Sequence, residues 1–283
     1  MQTAEGPTIA EERGALNVDP GSAKAWAMER LKRRLDAVPA LIGACRRIRI
    51  CGLPARGEME GEMEGSLRLA GLLSLVAATG CTVRIGECAR PGAPEEAVIW
   101  LGGTTQTLAR LGGYAPVLLW PAQAGTAALD HAARLARPHW LICQPFQALR
   151  PRAGLRRIAL PDPAHALWGL LDHHPRATEG RVLDLSGERP LRAEPPPPPG
   201  GAWKQAARWV AVASLPKVRA DQLRQRWLLE NWRRLLVAHE ALATDSVVGS
   251  IFAALLGRAV LPRGAAVEAY WRAWAPIILD DEA

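Results

Sequence analysis

Two short stretches of the chain bring together residue types that could hold an anion. In ALATDSVVGSIFAALLG an apolar run ends at Thr244-Asp245 and a helix is expected to follow. Asp245, Ser246, Gly249 and Ser250 therefore fall at a strand-to-helix turn. The first turn of a helix leaves backbone N–H groups unpaired and carries a partial positive charge, which suits an anionic ligand. Capping the helix is the simpler task for Ser246 and Ser250. In LPDPAHALW, Asp162 reads as an N-cap and Pro163 as the first helical residue, with His165 close behind. A third set lies at strand ends: Gly102, Gly103 and Thr104 follow one apolar run, and Gln123 follows another. Ligands of parallel sheets gather at the carboxyl ends of strands. Glycines there also serve tight turns for backbone reasons alone.

These positions need a scaffold, and the hydrophobic pattern supplies one. Trp26, Met28, Leu31 and Leu35 recur near helical spacing from Ala23, with an arginine-rich exposed side. Arg47-Ile48-Arg49-Ile50-Cys51 alternates as a strand does, and the ARGEMEGEMEG loop after it repeats Gly-Glu-Met-Glu. Helices are expected over 67–78 and 126–136, and strands over 82–85, 97–101, 116–120, 140–143, 181–185 and 208–215. Leu223, Trp227, Leu228, Trp232, Leu235 and Leu236 mark one face of a long helix, and His239 is expected within the strand that ends at Thr244. A further short strand and a last helix carrying Trp271 and Trp274 complete the pattern. Strands alternating with helices at this spacing predict parallel, doubly wound α/β sheets. RAEPPPPPGG is a stiff proline run ending in glycine, so the expected organisation is a loose arm at 1–22, a lobe at 23–191, a linker at 192–201 and a second lobe at 202–283.

Composition narrows the function classes. With 49% hydrophobic and 22% charged residues the chain is globular in type, and it lacks an apolar run long enough to span a bilayer. The beginning, MQTAEGPTIAEERG, lacks the basic flank and apolar stretch of a signal peptide, so a cytoplasmic location is expected. The five cysteines are odd in number and show no metal-type spacing, which predicts reduced thiols and no metal. The net charge of +7 is scattered among acids, so nucleic acid is not expected as a partner. Attraction toward an anionic substrate or a lipid surface is the other reading of that charge. No GxSxG, P-loop or HExxH pattern is present.

Ala243-Thr244-Asp245-x-x-x-Gly249-x-Ile251-x-Ala253-x-Leu255-Leu256-Gly257, followed by an aromatic-rich last helix, resembles the C-terminal signature of the polysaccharide pyruvyl transferases. Leu160-Pro161-Asp162-Pro163-Ala164-His165 resembles a second segment of that family, in the right order. The family's turn normally reads Thr-Asp-Arg-Leu-His-Gly, so Ser246 stands where it has arginine and Val248 where it has histidine. Ala266 stands where the family has a lysine, and Glu188 is what remains of an Arg-x-Asp-x-Glu turn.

The resemblance implies two Rossmann-like lobes facing a cleft, a GT-B-like fold with parallel sheets. It implies transfer of pyruvyl from phosphoenolpyruvate to a sugar acceptor in exopolysaccharide biosynthesis, with phosphoenolpyruvate as donor substrate and no cofactor besides. The acceptor would be lipid-linked or nucleotide-linked, at the cytoplasmic face of the membrane, with polysaccharide assembly enzymes as neighbours. Such a site needs cations for phosphate and carboxylate and a proton donor for the enol carbon. On that reading His165 and Asp245 are the catalytic candidates. Gly102, Gly103, Thr104, Gln123, Asp162, Glu188, Ser246, Gly249, Ser250 and Arg263 are the substrate-binding ones. The missing arginine, histidine and lysine keep two alternatives open: a catalytically inactive scaffold or regulator of an assembly enzyme, and a GT-B-type glycosyltransferase.

Overall fold

The computed structural model describes residues 20–43, 45–52, 62–77, 79–86, 96–101, 110–113, 116–120, 140–143, 156–171, 182–186 and 229–279. The expected helix at 126–136, the strand at 208–215 and the linker at 192–201 lie outside them.

Within the described residues the chain is a mixed α/β protein with two sheets of parallel strands, a Rossmann-like α/β fold. The larger sheet takes the order β2-β1-β3-β4-β5-β6 and the smaller the order β7-β8-β9. The strands of the larger sheet are β1 (Arg47–Cys51), β2 (Thr82–Ile85), β3 (Glu96–Trp100), β4 (Val117–Leu119), β5 (Trp140–Cys143) and β6 (Arg156–Ile158). Those of the smaller are β7 (Val182–Leu185), β8 (Ala241–Thr244) and β9 (Ala259–Pro262).

Composition explains the strand positions. The residues of β3 and of β8 are all buried, and each of these strands has a neighbour on both sides. At the edges, β2 and β9 leave most of their residues exposed. Continuous apolar runs suit central parallel strands, which have both faces covered. The single acid of β3, Glu96, is buried against Arg49 of β1, whose Nε donates to its carboxylate at 2.9 Å. Chain order reverses direction across the larger sheet between β1 and β3, the place where open α/β sheets leave a crevice. Gly52 ends β1 there with φ +81°, a conformation that glycine takes without strain.

The helices are α1 (Pro20–Leu35), α2 (Val38–Ile42), α3 (Glu62–Ala77), α4 (Val247–Leu255) and α5 (Ala265–Leu279), and residues 229–237 are helical as well. Every residue of α4 is buried, which matches its uniformly apolar sequence. One hydrophobic core joins the smaller sheet and its helices to α1, α3 and the 163–168 segment: Met28, Leu31, Leu67, Ala164, Leu167 and Trp168 pack with Leu185, Trp232, Phe252 and Trp274. A second fills the larger sheet between Leu35, Ile42, Ile48, Leu72, Ile99 and Leu118. The wedge between the two sheets is a 3-10 turn, Pro163–Leu167, packed against α1, α3 and α4. α3 comes so close to it that a Cβ on Gly71 would lie 2.1 Å from the carbonyl oxygen of Pro163.

Several expectations shift. α3 begins at Glu62, so it takes in part of the Gly-Glu-Met-Glu repeat that reads as loop. α1 begins at Pro20, inside the segment expected to be a loose arm. His239 is not in a strand: it follows the helix at 229–237, and its Nδ1–H donates to the Leu235 carbonyl at 2.8 Å. β7 precedes the proline run in sequence yet pairs with β8, from Val182 opposite Ala241 to Leu185 opposite Thr244. The smaller sheet therefore draws one strand from the segment 23–191.

Candidate functional site

The carboxyl ends of the two sets of strands meet around α3. Arg68, two turns into this helix and nearly buried, points under the larger sheet's edge. Its Nη1 donates to Leu101 O just past β3 at 3.0 Å, and Nη2 donates to Trp120 O just past β4. Its Nε donates to Asp162 Oδ2 at 2.8 Å. One guanidinium thus satisfies three strand-end acceptors, a task its planar fork suits and a lysine would not. Trp120 returns its indole N–H to Pro161 O at 3.1 Å.

Asp162 is used twice more. Its Oδ1 accepts the Ala164 N–H at 2.9 Å, capping the 3-10 turn as the Asp-Pro pair predicts. Its own N–H donates to the Tyr270 hydroxyl at 3.1 Å, which brings in α5. The same hydroxyl lies 2.9 Å from His165 Nε2. The imidazole runs parallel to the Tyr270 ring at 6.2 Å and meets the Trp271 ring edge-on at 5.9 Å. His165 is 0% exposed, and burial lowers its pKa to about 3, so it is neutral near pH 7. Burial, followed by the Asp162 carboxylate, holds the Tyr270 phenol well above its usual range. Neither ring reaches solvent-borne substrate in this arrangement; both are core groups.

One turn before Arg68, α3 carries Glu64, whose carboxylate accepts the Ser246 hydroxyl. Ser246 is the N-cap of α4, its Oγ accepting the Gly249 N–H at 2.9 Å, and its own N–H donates to Thr244 Oγ1 at 3.1 Å. A side chain at 249 would press on Ser246 and Thr244 at 3.3–3.4 Å, which accounts for the glycine. Burial raises the Glu64 pKa, the Ser246 hydrogen bond opposes the rise, and the carboxylates of Asp162 and Asp245 add to it. The acidic group beside the start of α4 is therefore one the chain supplies itself. Ser250, fully buried, donates to Val247 O at 2.6 Å and accepts the Trp271 indole N–H at 2.9 Å.

What faces solvent is the carboxyl edge of the smaller sheet. Asp184 is near the end of β7, opposite Ala243, and Asp245 and Arg263 directly follow the paired Thr244 of β8 and Pro262 of β9. Arg263 N donates to Thr244 O at 2.9 Å, and its Nη2 lies 3.9 Å from Asp184 Oδ2, with both side chains about half exposed (52% and 55%). Hydrogen bonds from the hydroxyl and N–H of Ser186 hold the Asp184 pKa low, with a smaller contribution from Arg263. Gly264 gives Asp245 room, since a Cβ there would meet the Asp245 Cβ at 3.3 Å. Arg263 is a cation with a carboxylate at the limit of ion-pair distance, and a pair so exposed is weak.

The expected site residues thus divide. Asp162, Ser246, Gly249 and Ser250 are brought together, but as caps and core hydrogen bonds. His165 is in the core behind Tyr270 and Trp271. Asp245 and Arg263 are on the open edge. Gly102, Gly103, Thr104, Gln123 and Glu188 lie outside the described residues. Sequence reading missed Glu64, Arg68 and Tyr270. The signal for Arg68 was available: it is the lone charge in the apolar stretch SLRLAGLLSLV. Among the described residues no cluster of metal-ligating side chains occurs and no helix is long and apolar enough to cross a membrane.

No protein-family profile matches the chain, and no curated protein matches it. Among solved structures, the chain is similar to an uncharacterized protein of Klebsiella pneumoniae subsp. pneumoniae NTUH-K2044, with a TM-score of 0.48 and 10% identity over 85% of this chain and 94% of that one.

Proposed function

We propose that the chain is a diverged relative of the polysaccharide pyruvyl transferases, with two Rossmann-like lobes of GT-B type, that serves exopolysaccharide assembly as a non-catalytic scaffold or regulator. One observation carries the choice between this role and catalysis. The positions at which the resemblance expects an arginine and a histidine are Ser246 and Val248, and both are buried, at 5% and 1% exposure. The remaining candidate acid, His165, is neutral and enclosed. Loss of a positioned acid typically costs about 10²- to 10⁴-fold in rate, and a missing anion clamp adds to that.

Pyruvyl transfer keeps one point in its favour, the exposed Asp245 and Arg263 on the carboxyl edge of the smaller sheet. Calorimetric titration with phosphoenolpyruvate at low salt tests the two readings. No heat of binding is expected, and none with a nucleotide sugar. Binding of phosphoenolpyruvate that weakens in Arg263→Ala would overturn the non-catalytic reading and make Arg263 the donor clamp. Binding of the nucleotide sugar alone would move the assignment to a GT-B-type glycosyltransferase.

A further inference from the structure

α1 presents two unlike faces. Met28, Leu31 and Leu35 are buried in the core. Trp26, Arg30, Arg33 and Arg34 recur at i, i+4, i+7 and i+8, which places them together on the opposite side. Trp26 is 43% exposed, and the Arg30 guanidinium lies 4.0 Å from the centroid of its ring. Arg33 is ion-paired with Glu29 at 3.3 Å on the same exposed side. Lys32 points away, donating to Trp168 O at 2.8 Å. From Trp26 to Asp36 four cations (Arg30, Lys32, Arg33, Arg34) stand against two acids (Glu29, Asp36), an excess of two.

A half-exposed indole flanked by arginines suits a partner that offers apolar depth and negative charge together. Indoles settle at the headgroup level of a bilayer, and arginines lay their stems along apolar surface while their heads reach phosphate. A soluble polyanion would use the arginines and gain little from the ring. We propose that the exposed face of α1 docks on an anionic phospholipid bilayer, as a peripheral contact through Trp26 and Arg30, Arg33 and Arg34. This surface lies on the opposite side of α1 from the core and does not depend on whether the protein catalyses a transfer.

Co-sedimentation of the full chain with vesicles of phosphatidylcholine, with and without a one-third fraction of phosphatidylglycerol, tests it. Binding is expected to the anionic vesicles only, falling as salt rises. Each of Arg30→Gln, Arg33→Gln and Arg34→Gln should weaken it by up to about fivefold. Trp26→Ala should weaken it severalfold at an unchanged thermal midpoint, since the side chain is not part of the core. Brominated acyl chains should quench the wild type more than Trp26→Phe. Absence of binding, equal binding to neutral vesicles, or binding untouched by Trp26→Ala would overturn the proposal. Capture by soluble hyaluronate that depends on the arginines but not on Trp26 would assign the face to a polyanion instead.

Discussion

Asp162→Ala strands Arg68. In the wild type this guanidinium is almost fully removed from water, its Nε on Asp162 at 2.8 Å and its other nitrogens on the carbonyls of Leu101 and Trp120. Removing the carboxylate leaves a buried cation with two carbonyl acceptors and only Glu64, one turn earlier on α3, as a neighbouring carboxyl group. Breaking one side of a buried pair typically costs about 3–5 kcal/mol, and loss of the cap on Ala164 N–H adds about 1 kcal/mol. Asp162→Asn keeps an acceptor for that cap and should cost less. Arg68→Met strands Asp162 and leaves the Leu101 and Trp120 carbonyls unpaired, at about 1–3 kcal/mol for each buried group. The double variant Arg68→Met/Asp162→Ala removes both charges of the pair together. It should be less destabilised than the sum of the single variants by about 2 kcal/mol. Equilibrium urea unfolding at pH 7, with the slopes compared before midpoints are converted, reads all four. A cost below about 1 kcal/mol for Asp162→Ala, or additivity within about 0.5 kcal/mol, would refute the account of Arg68 and Asp162 as a coupled clamp.

Three further outcomes are expected. Gly71→Ala places a methyl 2.1 Å from Pro163 O, so α3 or the wedge turn must move; the cost should be at least about 1–3 kcal/mol in the same unfolding assay. His165 has its folded pKa depressed from 6.5 to about 3, so an unfolded chain binds a proton that the fold refuses, and stability should fall as pH drops through that window. His165→Phe should lose this part of the acid limb, and an unchanged pH profile would place the ring in water. Glu64 has the opposite sign: its folded pKa is raised above 4.5, so it destabilises the fold as pH climbs from there through the raised value. Glu64→Gln should remove that decline while keeping an acceptor for the Ser246 hydroxyl, and a steeper decline in the variant would contradict the burial seen here.

Local pattern made much of the scaffold readable. The alternation in Arg47–Cys51, the buried β8 and the Asp-Pro start at 162–163 each obey rules that act over a few residues; the first two form strands as predicted, and the third caps a five-residue 3-10 turn where a helix is expected. Direction into or out of the core was less readable. A histidine after a strand-end aspartate looks the same in sequence whether it faces a cleft or, as here, the rings of Tyr270 and Trp271. Tyr270 lies 105 residues from His165 and 108 from Asp162, and no periodicity couples positions so far apart. Glu64 was hidden differently, because the Gly-Glu-Met-Glu repeat has the glycines of a loop and none of the apolar spacing of a helix. Only packing of Leu67, Leu69 and Leu72 against two cores explains why α3 extends back through it.

The pairing of β7 with β8 bears on how this protein could be divided. The proline run at 192–201 invites the choice of a cloning boundary there, yet a cut at that point runs through the smaller sheet. The upstream fragment would keep β7 without the strand it pairs with. The downstream fragment would expose one side of β8, all of whose residues are buried in the whole chain. Unpaired strand edges of that kind promote aggregation. Fragments made at the proline run should therefore be insoluble apart and recover only when produced together. A fusion partner intended to replace the upstream half would have to bring its own β7, and one replacing the downstream half its own β8.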